Sequence, residues 1–288
     1  MYLMLFSHMD FKYIDAHTHF FPKKLFKAIW KFFEMKDHKG NVRGWPIEYK
    51  LEIEGLVDFL KNKNVEAYTT YKKKKKKGIA KIINEWTIEF AKDHPNAIPF
   101  GCVWPEDKDK KKYVESLFAD HNFQGIKIQP LVQNFYPYDP RMDEVYELIL
   151  DYDKWLTIHA GTAPYRNKYV GYKSFKKFIK KYPTMNIIVA HMGAFEYQEF
   201  IGLLDKYDNL YLDSAMVFIP NNIFPERKIK RPAPEILLSY QDRILFGSDF
   251  PNIPYEYERS SLGFLEMDLP RNFYEDIFYN NAQRLFDL

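Results

Sequence analysis

The chain has a single cysteine in 288 residues, Cys102. One thiol excludes an internal disulfide and fits a reducing compartment. Cys102 lies in the apolar run PFGCVW, which reads as a buried, inert position rather than a nucleophile. Charge of one sign is also scarce: 42 Lys and Arg against 39 Asp and Glu leave a net charge of +3, so the overall field gives no reason to expect a nucleic-acid partner. Long apolar runs are missing as well. The opening MYLMLFSHMDF is too short and too poor in basic residues for a signal peptide, and no later stretch reaches bilayer length, so no membrane association is expected and the protein reads as cytoplasmic. Internal repeats and compositional breaks are absent too. What is abundant is apolar and aromatic side chain, 46% and 18% of the residues, enough for one large core over residues 1–288.

Short β-rich runs alternate with longer amphipathic ones. The strand candidates are 13–17, 65–69, 98–103, 125–129, 156–160, 186–191, 210–214 and 244–248. Between them lie helical patterns such as IAKIINEWTIEFAKDH, MDEVYELILDYD and SFKKFIKKY. Eight such alternations favour a single-domain α/β fold, a TIM-like (β/α)8 barrel, over an open doubly wound sheet. Parity agrees. With Ile126 and Ile128 facing the helices, Lys127 and Gln129 face inward, and the same count turns His159, His191 and Asp249 inward.

The chemistry-bearing residues fall at the ends of these runs: His17-Thr-His19 in IDAHTHFFP, His159 in WLTIHAG, His191 in NIIVAHMG and Asp249 in ILFGSDFP. On a strand, residues i and i+2 share a face, so His17 and His19 are expected to present a chelating pair. The others arrive from different strands at the same end, which in such barrels is where active sites form. Several imidazoles with one carboxylate suit zinc or a similar divalent ion. Asp15, one pleat below His17, is a candidate either to orient a ligand imidazole or to pair with an inward lysine.

Two segments depart from the alternation. FIPNNIFPERKIKRPAP, residues 218–234, is long and Pro-rich, either a lid or a surface excursion. Lys72 to Lys77 form a run of lysines that reads first as a solvated loop. Tyr165, Arg166, Glu196, Arg227 and Arg231 are candidates for recognising an anionic group on a small-molecule substrate, and each has an ordinary surface role as its alternative.

Taken together, IDAHTHFFP, GIKIQP, TIHAG, IVAHMG, ILFGSDFP and the terminal NNAQRLF resemble the amidohydrolase superfamily, in its amidohydrolase-related branch, over residues 13–288. The resemblance implies that His17, His19, His159 and Asp249 bind a divalent metal, Zn2+ first and Mn2+ second, with one ion per chain favoured over two. It implies that His191 either binds a second metal or contacts substrate. It gives Lys127 two roles to choose between, a carboxylated bridge between two metals or a cation that meets a substrate carboxylate or Asp15. The reaction implied is hydrolysis of an amide, lactone or ester, with Asp249 moving the proton and His191 helping to polarise the carbonyl. The alternatives are non-oxidative decarboxylation of a small aromatic or unsaturated acid, and a non-catalytic metal-binding barrel. Assembly into a homo-oligomer is left open.

Overall fold

The computed structural model describes residues 6–34, 46–72, 78–164, 166–219 and 231–288. Among the described residues nine short strands run in chain order: β1 Tyr13–Asp15, β2 Val65–Thr69, β3 Ala97–Ile98, β4 Phe100–Cys102, β5 Gly125–Ile128, β6 Trp155–Ile158, β7 Asn186–Val189, β8 Leu210–Asp213 and β9 Ile244–Leu245. All pair in parallel, β1 to β3 in one set and β4 to β9 in the other. β3 and β4 are one stave interrupted at Pro99, which has no N–H to give a ladder. The break is bridged by Thr70, whose N–H donates to the Ile98 carbonyl at 3.1 Å and whose Oγ1 accepts the Phe100 N–H at 3.3 Å. At the other junction the Ala16 N–H donates to the Phe246 carbonyl at 2.8 Å, and Thr18 bridges to Phe250. The ring closes, and the eight staves expected from the alternation are those of a (β/α)8 barrel.

The period-two pattern sorts the core into two layers. Ile126, Ile128, Leu156, Ile158, Ile187 and Val189 pack outward into the shell of helices. Ile14, Ala67, Ile98, Phe100, Ile188 and Leu245 fill the inside. Helices answer with one apolar stripe each: Tyr172–Lys181 buries Phe175, Phe178 and Ile179 against the sheet and carries its lysines on the remaining faces. No helix among the described residues is long and apolar enough to cross a membrane.

The staves stop earlier than the sequence pattern suggests. β1 ends at Asp15 rather than at residue 17, β7 at Val189 rather than 191, and β9 at Leu245 rather than 248. The polar residues singled out from the sequence lie past these strand ends, and two of them stand in backbone that has left the extended region. His191 has φ 57° and Asp249 φ 70°.

Two further expectations fare differently. Lys72 is not solvated: it is 0% exposed, donates to the Thr70 carbonyl at 3.2 Å and lies 5.2 Å from the Trp86 ring. Lys73 to Lys77 lie outside the described residues, as do residues 220–230 of the long connection and Tyr165. Cys102 is buried as expected, and burial pushes its thiol up to about 12.

Candidate metal centre

The site is built where the first and last staves meet. Asp15 is fully buried and accepts from the His17 N–H at 3.1 Å, the Ser248 N–H at 3.1 Å, the Ser248 hydroxyl at 2.6 Å and the Tyr257 hydroxyl at 2.9 Å. Burial lifts its carboxyl to about 7 against these donors, which pull it down. Its oxygens are taken by two backbone N–H groups and two hydroxyls, and the His17 ring is held by Asp213 instead. Beyond it the chain bends, so His17 and His19 do not share a strand face as expected. Their rings still meet, 5.2 Å apart, because Thr18 is held between the staves, its N–H donating to Thr69 Oγ1 at 3.2 Å. Asp249 is fixed from the same bend, its N–H donating to the His17 carbonyl at 2.8 Å.

Three imidazoles are held by their Nδ1 atoms. His17 Nδ1 is 2.8 Å from Asp213 Oδ2, His19 Nδ1 2.9 Å from the Tyr71 carbonyl, and His191 Nδ1 2.9 Å from the Ala215 carbonyl. Their Nε2 atoms lie on the opposite edge of each ring. Those of His19 and His17 lie 2.7 and 3.4 Å from Asp249 Oδ1. Ligand atoms of His17, His191 and Asp249 all fall within 4.8 Å of one another, a spacing that can hold a metal ion.

The fourth expected imidazole sits differently. The His159 ring is 4.9 Å from that of His191, but its Nε2 donates to the Ala163 carbonyl at 2.7 Å, and His159 stands outside the converging trio.

Electrostatics divide the labour. Burial acts to raise the Asp249 carboxyl, but the hydrogen bond from His19 and the nearby His19, His17 and His191 outweigh it and hold it well below the usual carboxylate range. Burial, reinforced by His17, drops His191 to about 4, so it is neutral at physiological pH. Asp213 is shifted upward by burial, opposed by His191, Lys127 and two backbone N–H groups.

The two loops that carry His159 and His191 touch through glycine. A Cβ on Gly161 would lie 2.2 Å from the Gly193 carbonyl oxygen, so no larger residue fits there. Gly193 itself has φ 79°, within a left-handed stretch that includes His191, Met192 and Ala194.

Lys127 is inward as the parity requires, 2% exposed, with its ammonium 4.7 Å from the Tyr71 ring centre. Of the residues considered for anion recognition, Glu196 accepts from the Thr162 and Tyr172 N–H groups at 3.2 and 3.3 Å, which braces the loop after β6. Arg231 donates to the Ile219 carbonyl at 2.7 Å and stands 3.8 Å from Glu266, tying the two ends of the long connection. Arg166 is exposed in the loop after β6, and Arg227 lies outside the described residues. Sequence reasoning missed Asp213 and Tyr71. The signal for Asp213 was present, since it closes the run LYLD as the histidines close theirs.

The model of the family described as Amidohydrolase matches residues 14–288. A search of curated proteins gives no match. Among solved structures, an uncharacterised TIM-barrel protein from Bordetella bronchiseptica is similar at TM-score 0.71 and 17% identity, covering 96% of this chain and 98% of that one. The 5-carboxyvanillate decarboxylase of Novosphingobium aromaticivorans, complexed with manganese and 4-hydroxy-3-methoxy-5-nitrobenzoic acid, is similar at TM-score 0.69 and 14% identity, covering 97% of each chain. A probable 2-pyrone-4,6-dicarboxylic acid hydrolase from Acinetobacter baumannii, with citric acid bound, is similar at TM-score 0.65 and 15% identity, covering 96% of this chain and 100% of that one. At these identities the likeness is one of fold.

Proposed function

The chain belongs to the amidohydrolase family, and from that premise we propose that it is a metal-dependent hydrolase cleaving an amide, lactone or ester bond of a small anionic substrate. The observation that carries this reading is the convergence of His17, His191 and Asp249 within 4.8 Å, with His19 on the same carboxylate. The donor set fits a divalent cation: imidazole nitrogens plus one carboxylate oxygen, buried, with each of the three imidazoles fixed at its other nitrogen. His17, His19, His191 and Asp249 would hold the ion, and nitrogen-rich donors of this kind favour zinc. When bound, a divalent ion supplies positive charge that acidifies water, from pKa 15.7 to about 7, and polarises a carbonyl.

The protein's own groups do the rest. Asp249, held ionised, accepts a proton from the attacking water and returns it to the leaving group. His191, neutral and with its Nδ1 proton given to the Ala215 carbonyl, offers the lone pair of Nε2, so its part in polarising the carbonyl would be played through the ion it helps to hold. Lys127 brings a cation to the inner wall, where a substrate carboxylate would meet it. Two neutral histidines at the first stave leave more charge on the ion than a carboxylate there would, which favours ionising water and hence hydrolysis.

Decarboxylation is the second reading. It is favoured by solved structures with this fold that are decarboxylases, among them those of 5-carboxyvanillate and 2,6-dihydroxybenzoate. Incubation with lactone, ester and hydroxybenzoate panels in H2(18)O separates the two. We expect 18O in an acid product. Release of CO2 without incorporation would establish the second reading. Elemental analysis of protein purified without chelator is expected to give one divalent ion per chain. Absence of metal together with no uptake of added zinc or manganese would refute the metal-dependent reading altogether.

A further inference from the structure

We infer that Asp213 is a positioning residue that sets the tautomer of His17 and, through the same carboxylate, the orientation of His191. The metal consequence of this inference rests on the reading proposed above; the tautomer does not. Asp213 closes β8, is 0% exposed, and its two oxygens have different tasks. Oδ1 accepts two backbone N–H groups, that of His191 at 2.8 Å and that of Ala215 at 3.2 Å. Oδ2 is 2.8 Å from His17 Nδ1. Both carboxylate oxygens sit against N–H or ring nitrogen, Oδ1 as acceptor of two backbone N–H groups and Oδ2 against the ring, so the proton of this contact is assigned to His17 Nδ1, which leaves Nε2 as the nitrogen that faces Asp249 Oδ1 at 3.4 Å. Two residues further on, the Ala215 carbonyl does the same for His191 by accepting at its Nδ1, 2.9 Å away. One bend after one stave therefore holds two rings whose centres are 4.7 Å apart. The His191 N–H that Asp213 receives comes from a residue with φ 57°, so the carboxylate also secures the left-handed turn that aims this second ring.

A structural role alone, bracing the bend, predicts something different from control of the tautomer. Asp213→Asn separates the two. Asparagine has the same shape, and its one carbonyl oxygen satisfies the His191 and Ala215 N–H groups. That choice turns its NH2 toward His17 Nδ1. Two donors cannot face each other, so the imidazole proton must move to Nε2, the atom that faces Asp249. The fold would be kept and the ligand atom lost.

The test is carried out on the whole chain, metal-free, with 15N-labelled histidine. Long-range 1H–15N correlation spectra report which ring nitrogen of His17 carries the proton, and titration with zinc chloride reports affinity. We expect His17 as the Nδ1–H tautomer in the unmodified protein and Nε2–H in Asp213→Asn, with zinc affinity reduced about 10- to 100-fold. Nε2–H in the unmodified protein would overturn the inference without any variant, which protects the test if Asp213→Asn does not fold. So would a folded Asp213→Asn protein that keeps Nδ1–H. If the tautomer switches as expected and the unmodified protein binds no zinc, the positioning role stands and it is the metal-dependent reading that fails.

Discussion

The two ends of the barrel are built by opposite means. At the foot, Ile14, Ala67, Ile98, Phe100, Ile188 and Leu245 project from the parallel ladders into an apolar interior that Ala282 and Phe286 help to close. At the mouth, His17, His191 and Asp249 stand past the ends of the ladders, in a bend or in left-handed backbone, and are fixed by individual hydrogen bonds, His17 to the Asp213 side chain, His191 to Asp213 and the Ala215 carbonyl, and Asp249 to His19 and the His17 carbonyl. Tyr71 is the seam. Its ring packs on Phe100 at 5.0 Å below and on His17 at 5.0 Å above, while its hydroxyl and that of Thr157 hydrogen-bond at 2.9 Å. Regular backbone delivers packing by repetition, whereas irregular backbone costs conformational free energy and persists here only because each departure is over-determined by its neighbours.

If that division holds, substitutions at the two ends should fail in different observables. Asp249→Asn should lower turnover by about 10² to 10⁴ while the melting curve moves little, since asparagine can still offer an oxygen but moves no proton. Unchanged turnover in zinc-replete Asp249→Asn would remove the proton-transfer role. Phe100→Ala at the foot should do the reverse. It is 0% exposed, and truncating a buried aromatic costs about 3–5 kcal/mol of stability, read as a shift in urea midpoint with little loss of activity per folded molecule. A large activity loss at unchanged stability would mean that foot and mouth are not separable.

The same division explains what could be read from the sequence. Foot and shell were legible because period-two alternation, as in Gly125–Ile128, states which side chain faces inward, and Lys127 lies where that count puts it. The order of the polar residues at the stave ends was also legible, since each closes an apolar run. Their partners were not. Asp15 looked like an acceptor for an imidazole or a partner for an inward lysine because strand periodicity places it beneath His17, but β1 ends there and the chain bends, which leaves Asp15 on two backbone N–H groups and two hydroxyls and gives the His17 ring to Asp213, 196 residues away. No local pattern encodes a contact of that separation. Nor does one encode the turn of His159 toward Ala163, which depends on how its loop closes against Gly193.

That closure gives a smaller, sharper test of the mouth. Gly161→Ala places a methyl 2.2 Å from backbone, where nothing flexible can yield, so the His159 and His191 loops must separate. Overpacking of this kind costs about 1–3 kcal/mol. A shift of about 1 Å in the reacting groups lowers kcat roughly 10²-fold. Gly202→Ala is the control: its Cβ would sit 3.5 Å from the Gln198 oxygen, an ordinary contact, and neither stability nor kcat should change appreciably. Equal behaviour of the two variants would show that the touching glycines are not what sets the mouth.

The last effect expected is in the pH dependence of stability, which leaves turnover aside, and it comes from two buried groups of opposite sign near the upper rim. Lys72 follows Tyr71, and burial lowers its ammonium from 10.5 to about 7. Between those values the unfolded chain binds a proton that the folded protein does not, so stability rises with pH across that window, at most by about 1.4 kcal/mol per pH unit. Asp15 acts the other way. Its carboxyl is raised from 3.8 to about 7, so between those values the folded protein holds a proton that the unfolded chain has released, and stability falls as pH rises through the window. Together the pair contributes a minimum near pH 7. Urea midpoints measured from pH 5 to pH 9 should show the alkaline limb flattened in Lys72→Met, which keeps an apolar chain against Trp86 and removes the titrating group, with the acidic limb unaltered. Asp15→Asn should flatten the acidic limb and spare the alkaline one. If Lys72→Met retains the slope of the unmodified protein between pH 7 and pH 9, the buried amine is already charged in the fold, held by Thr70 and Trp86, and the upper rim tolerates a cation that the foot would not.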